Sequence, residues 1–139
     1  MTLVLDASVA LSWCFEDEAT ESTLDILRYI ERTEAIAPAI WPVEIAHVLR
    51  QASRRGRIAR RKVTDLLEAM ATLPVRLVEI ATTTVFVDVM DVAWARDLTP
   101  YDALYVELAL RTGSELATLD RAMARAGRDA GIAILPDRV

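Results

Sequence analysis

The chain has 139 residues, 53% hydrophobic and 27% charged, enough length and apolar content to bury a core rather than remain a disordered tail. Its 21 acidic residues against 16 basic ones give a formal charge of −5, which argues against holding a nucleic acid by bulk charge. A single Cys and a single His exclude a disulfide framework and a thiolate–imidazole zinc site, and no nucleophile-elbow pattern accompanies His47. Any chemistry must therefore come from carboxylates.

Thr2 to Leu5 predicts a short buried strand, and Asp6-Ala7-Ser8 opens a helix behind it. Leu24, Ile26, Leu27 and Ile30 carry a helical period through 18–32. Ala35 to Ala37 predicts a second strand, and Pro42 suits the first turn of a helix that runs to Gly56. Ile58 to Leu73 predicts another helix, Val75 to Ile80 a strand, and Thr82 to Leu98 one long helix. Thr99-Pro100 starts the next helix, which ends at Gly113. Leu116 to Leu119 predicts a strand, Asp120 to Arg128 a helix, and Ile132 to Leu135 a last strand. Short apolar strands alternating with helices predict an α/β fold, a parallel sheet covered on both faces. With no repeat or linker, the expectation is one domain over 1–139. The N-terminus lacks a basic signal-peptide start and no apolar run nears the ~20 residues of a membrane span. A cytoplasmic protein with no membrane contact is expected.

In an open parallel sheet, ligands bind beyond the carboxyl ends of the strands, where strand order reverses. Asp6 follows the first strand (LVLDAS) and Asp120 the fourth (LATLDRA). Glu44 (PAIWPVEIAHVL) and Asp102 (LTPYDALYVELA) each fall in the first turn of a helix. Taken singly, each acid suits a helix start, where a cap or a charge near the dipole stabilises by ~0.3–1 kcal/mol. Taken together they predict convergence. Several carboxylates in one place repel, and they coexist ionised when a divalent cation joins them. Ligation by oxygen alone, without His or Cys, points to Mg2+ or Mn2+.

The spans VLDASVALSWCFEDE, APAIWPVEIAHVLR and LTPYDALYVELALRTGSELATLDRAMARAG resemble PIN-domain ribonucleases, above all the VapC-type toxins of bacterial toxin–antitoxin pairs. The resemblance covers essentially the whole chain. It implies a PIN-like three-layer fold and a metal-dependent endoribonuclease that leaves 5′-phosphate and 3′-hydroxyl ends. Asp6, Glu44, Asp102 and Asp120 match the family's metal-binding acidic quartet, and Ser8 and Thr118 match hydroxyl positions beside the metal. It further implies a cognate antitoxin, an RNA substrate and a homodimer. His47 departs from the family's frequent Asn three residues after the Glu, and is expected to support the site by hydrogen bonding. The alternative reading is a catalytically silent PIN-like module that acts only through binding.

Seven of the 16 basic residues fall within positions 50–62, a stretch without an acid. Arg50, Arg54, Arg55 and Arg57 are the candidate RNA contacts, because this is the one dense cationic segment. A solvated helix–turn–helix tip is the plainer account of the same run. Trp13, Phe15 and Trp41 flank the predicted site in sequence, as do Trp94 and Tyr101. They read either as core or as anchors for an antitoxin segment. Glu16, Asp17, Glu18 and Glu21 read as a solvated acidic face, with Glu16 or Glu18 able to reach an Arg of a partner.

Overall fold

The computed structural model describes residues 1–137. Five strands form one parallel sheet in the order β3-β2-β1-β4-β5: β1 Thr2–Leu5, β2 Glu34–Pro38, β3 Val75–Val78, β4 Glu115–Ala117 and β5 Ile134–Leu135. Two helices, α1 (Ala7–Ser12) and α2 (Glu21–Ile30), connect β1 to β2. Helices α3 (Trp41–Arg54) and α4 (Arg60–Ala71) connect β2 to β3. The return to β4 runs through a wide, π-helical segment Thr84–Val89 continuous with α5 (Met90–Arg96), then α6 (Pro100–Thr112). Helix α7 (Arg121–Asp129) joins β4 to β5. Right-handed crossovers put the helices that follow β1 and β2 on one face of the sheet and those that follow β3 and β4 on the other.

The central strands are apolar along their whole length because both faces are covered: Leu3, Val4 and Leu5 of β1 and Leu116 and Ala117 of β4 are all 0% exposed. The edge strand β3 leaves Arg76 and Leu77 exposed, and Arg76 pairs with Glu34 of β2 at 2.7 Å. Burying the aliphatic side chains of such a sheet stabilises by ~1.5–3 kcal/mol each.

The predicted element order is the observed one, with shifts at the boundaries. The helix expected over 18–32 begins at Glu21, capped by Thr20 and Thr23 side chains that satisfy each other's backbone N–H. The fourth strand ends at Ala117, so Thr118 and Leu119 form the turn before α7. The single helix expected over 82–98 is π-helical in its first half, where the β-branched residues Thr84, Val85, Val87 and Val89 crowd the preceding turn. It stops at Asp97, whose φ of 53° is left-handed, a conformation Asp tolerates better than most residues. Of the domain expected over 1–139, positions 138 and 139 lie outside the described residues.

Candidate active site

Strand order reverses at β1 and β4, and the chain leaves both strands at the same edge of the sheet. The Asp6 N–H donates to the Ala117 carbonyl at 2.9 Å, which extends the β1–β4 pairing to the last residue before α1. Asp6 is 5% exposed, yet its side chain makes no capping bond to α1. Its Oδ2 instead accepts the Ser8 hydroxyl at 2.6 Å and the Thr118 hydroxyl at 2.8 Å. Those hydroxyls are themselves fixed: the Leu119 N–H donates to Ser8 Oγ and the Asp120 N–H to Thr118 Oγ1, both at 3.0 Å. Ser8 and Thr118, expected beside the site, thus stitch the β1–α1 turn to the β4–α7 turn.

The other three acids come from three helix starts. Asp120 is the N-cap of α7, its Oδ1 accepting the Met123 N–H at 2.8 Å. Asp102 lies in the first turn of α6, and its backbone N–H donates to the Thr99 hydroxyl at 3.2 Å. Glu44 lies in the first turn of α3, and its Oε1 accepts the Tyr105 hydroxyl.

The charges of the four reach one another. Burial raises Asp6 above the ordinary carboxylate range, the Ser8 and Thr118 hydrogen bonds offset part of that, and Asp120 pushes it further up. Glu44 is raised by burial and then by Asp6 and Asp102, against the opposing Tyr105 hydrogen bond. Burial also raises Asp102, with Asp120 and Asp6 adding to it. No Lys, Arg or His pairs with any of the four among the described residues; the ion pairs there engage Asp17, Glu18, Asp25, Glu34 and Glu107 instead. Four like charges without a counter-charge are costly in a half-buried place. The all-oxygen donor set suits a hard divalent cation that would relieve them. The carboxylates do not form a ready-made cage: among the described residues, no three acidic, imidazole or thiol groups are close enough to enclose an ion. They are an electrostatic neighbourhood, looser than the tight cluster the sequence predicts.

A cleft of about 540 Å³ opens beside Ser8 and runs along α3, lined by Phe15, His47, Gln51, Arg55 and Arg57 among others. His47 is exposed on its wall and makes no side-chain hydrogen bond among the described residues, so the expected support of Glu44 is not observed. Tyr105 fills that role, which sequence reasoning missed. Arg50, Arg54 and Arg55 are exposed and unpaired among the described residues, whereas Arg57 is occupied. Its guanidinium donates to both oxygens of Asp17 at 2.8 and 2.9 Å, meets Glu18 at 2.7 Å and stacks 3.9 Å over the Phe15 ring. The Arg expected for Glu18 from a partner is supplied by the chain itself.

The flanking aromatics divide differently from the anchor reading. Phe15 and Trp41 are buried, and Trp13 is half-buried with its indole N–H donating to the Thr23 carbonyl at 2.8 Å. They are core, not an open docking face. The exposed apolar side chains include Phe86, Val87 and Trp94 of the segment 84–96, with Tyr101 and Val43 next to Asp102 and Glu44 in sequence. A separate hollow of about 380 Å³ beside Tyr29 and Glu115 contains none of the four acids. No helix of the described residues is long and apolar enough to cross a membrane.

The comparisons with known proteins agree with this architecture. The chain is 29% identical over 124 residues to Ribonuclease VapC3 of Pyrobaculum aerophilum, an alignment that covers 89% of this chain and 93% of that protein. Its fold is similar to the crystal structure of PAE2754 from Pyrobaculum aerophilum, with a TM-score of 0.72, 21% identity, and 97% and 90% of the two chains covered. It is also similar to VapBC2 from Rickettsia felis, determined bound to a DNA fragment from its promoter, with a TM-score of 0.69, 11% identity and 96% and 97% coverage. FitAcB from Neisseria gonorrhoeae gives a TM-score of 0.65 at 14% identity, with 97% of each chain covered. The family model described as PIN domain matches residues 3–129. The chain belongs to the PIN domain family.

Proposed function

We propose that this protein is a divalent-metal-dependent endoribonuclease that serves as the toxin of a toxin–antitoxin pair. The observation that carries the reading is that Asp6, Glu44, Asp102 and Asp120, from four different elements, lie within electrostatic reach of one another at the switch point of the sheet without a cationic partner among the described residues. The relative named as a ribonuclease supports it, and the solved structures of VapBC2 and FitAcB share this chain's fold.

Asp6, Asp102 and Asp120 would hold Mg2+ or Mn2+, with Glu44 bound to the same centre directly or through water. A divalent ion held there would lower the pKa of a bound water and offset charge on the scissile phosphate. The residues of the chain do the rest. Ser8 and Thr118 fix the orientation of Asp6, the N-cap bond fixes Asp120, and Glu44 is the base that orients and deprotonates the attacking water. The cleft along α3 is the RNA path, with Arg50, Arg54 and Arg55 meeting its phosphates. Arg57 is assigned instead to holding the loop that carries Asp17 and Glu18, its partners in the folded chain.

The exposed Phe86, Val87 and Trp94 form the homodimer face. A cognate antitoxin silences the enzyme by inserting an Arg or Lys among the four acids, a charge-assisted contact that competes with the cation. The test is cleavage of single-stranded RNA by the purified chain in Mg2+, Mn2+ or EDTA, beside Asp102→Asn. Cleavage that needs the cation and is lost in the variant is expected. Cleavage indifferent to EDTA, or equal in the variant, contradicts the reading. A wild-type chain that binds RNA without cutting it would establish the silent binding module instead.

A further inference from the structure

We infer that Tyr105 is a positioning residue of the acidic site, its hydroxyl tethering Glu44 to α6 so that Glu44 works through one oxygen. The inference rests on the metallonuclease reading above and goes further, to a residue that is not an acid. Tyr105 lies on α6 three residues after Asp102, a spacing that puts the two on the same face of the helix. It is 0% exposed and among the largest fully buried side chains of the molecule. Phe would fill that volume equally well, and a buried hydroxyl is unfavourable unless it is bonded.

Here its donor capacity is used. The hydroxyl donates to Glu44 Oε1 across 61 positions of sequence. Glu44 needs such a tether. Asp6 and Asp102 repel it, its side chain has three rotatable bonds, and it is only half-buried. Without Tyr105 the repulsion would turn the carboxylate out to solvent. With Oε1 committed to Tyr105, Oε2 is the atom left for the cation or its water.

The test compares wild type, Tyr105→Phe, Glu44→Gln and the double variant by Mn2+ titration calorimetry, with kcat and KM on single-stranded RNA for wild type and Tyr105→Phe. Tyr105→Phe should bind Mn2+ ~10-fold more weakly, in line with loss of a group that orients a ligand. Its kcat should fall at least as much, with KM within about threefold, because the RNA path is untouched. In the Glu44→Gln background, the same substitution should change Mn2+ affinity less than about twofold, since the tethered charge is already gone. Tyr105→Phe with Mn2+ affinity and kcat near wild type, or losses that multiply in full in the double variant, overturns the proposal.

If Tyr105→Phe does not fold, the double variant decides. A folded double variant supports a hydroxyl whose task is to hold the Glu44 charge, and an unfolded one assigns the hydroxyl to the stability of the fold instead and overturns the proposal. A wild-type chain that neither binds Mn2+ nor cleaves RNA overturns the metallonuclease reading, and this proposal with it. An active wild type with an unaltered Tyr105→Phe overturns only the role of Tyr105.

Discussion

Asp6→Asn should make the metal-free protein more stable at neutral pH, the reverse of what a buried, hydrogen-bonded side chain usually does when changed. Asn keeps an acceptor oxygen where Asp6 Oδ2 receives Ser8 and Thr118, so both hydrogen bonds survive. What disappears is a charge that presses on Glu44 and Asp102 and is pressed by Asp120. Two unit charges about 6 Å apart repel by ~3 kcal/mol at an effective dielectric of ~20. Partial protonation and solvent around the half-buried members reduce that to a net gain of ~1–2 kcal/mol. For a chain of this size the gain corresponds to a rise of ~3–10 °C in melting temperature. The sign with pH follows from the raised carboxyls. Asp6, Glu44 and Asp102 favour their protonated forms more strongly folded than unfolded, so the folded chain binds more protons above the ordinary carboxylate value. Stability therefore falls as pH rises from about 4 through the folded-state values. Thermal melts in EDTA should show wild type and variant nearly equal at pH 4 and well separated at pH 7.5. Adding Mg2+ should raise wild type far more than the variant. A variant less stable than wild type at pH 7.5 in EDTA, or a difference that ignores pH, refutes the reasoning.

Thr118→Val removes a fully buried hydroxyl that gives a hydrogen bond to Asp6 and takes one from the Asp120 N–H. It should cost ~1–3 kcal/mol in urea unfolding and lower RNA cleavage at least ~10-fold, because two buried groups lose a partner. Arg55→Ala should weaken RNA binding and reduce its salt slope by about one phosphate contact. Arg57→Ala should leave that slope unchanged and speed proteolysis of residues 13–20, as should Asp17→Asn combined with Glu18→Gln. Phe86→Ser with Trp94→Ser should convert a homodimer to a monomer in light scattering, and an unchanged mass would place the dimer contact elsewhere.

The strands were legible because a parallel strand covered on both faces is a short continuous apolar run, and β1, β2 and β4 are that along LVL, AIA and LA. The four acids were legible for the complementary reason: each is a charge at a helix or strand end within otherwise apolar sequence. Tyr105 was not. A Tyr inside YDALYVELAL reads as core, and its partner Glu44 is 61 positions away on a different helix, a contact no local pattern reveals. The Arg57 clasp was hidden likewise, since Asp17 lies 40 positions upstream, with Glu18 beside it, in a loop. The π-helical winding of Thr84–Val89 left no mark beyond its β-branched run, which is equally compatible with an ordinary helix. Trp13, Phe15 and Trp41 show that nearness to the site in sequence says little about exposure. The exposed aromatics come instead from the segment 84–96 and the start of α6.

The central claim is that the four acids are one metal centre, and the direct measurement is anomalous scattering from crystals of the chain soaked in Mn2+. A peak among Asp6, Asp102 and Asp120, beyond the carboxyl ends of β1 and β4, with Glu44 at its margin, is the predicted result. It should vanish in Asp6→Asn crystals soaked alike. No peak there at millimolar Mn2+, with the carboxylates ordered, would contradict the account.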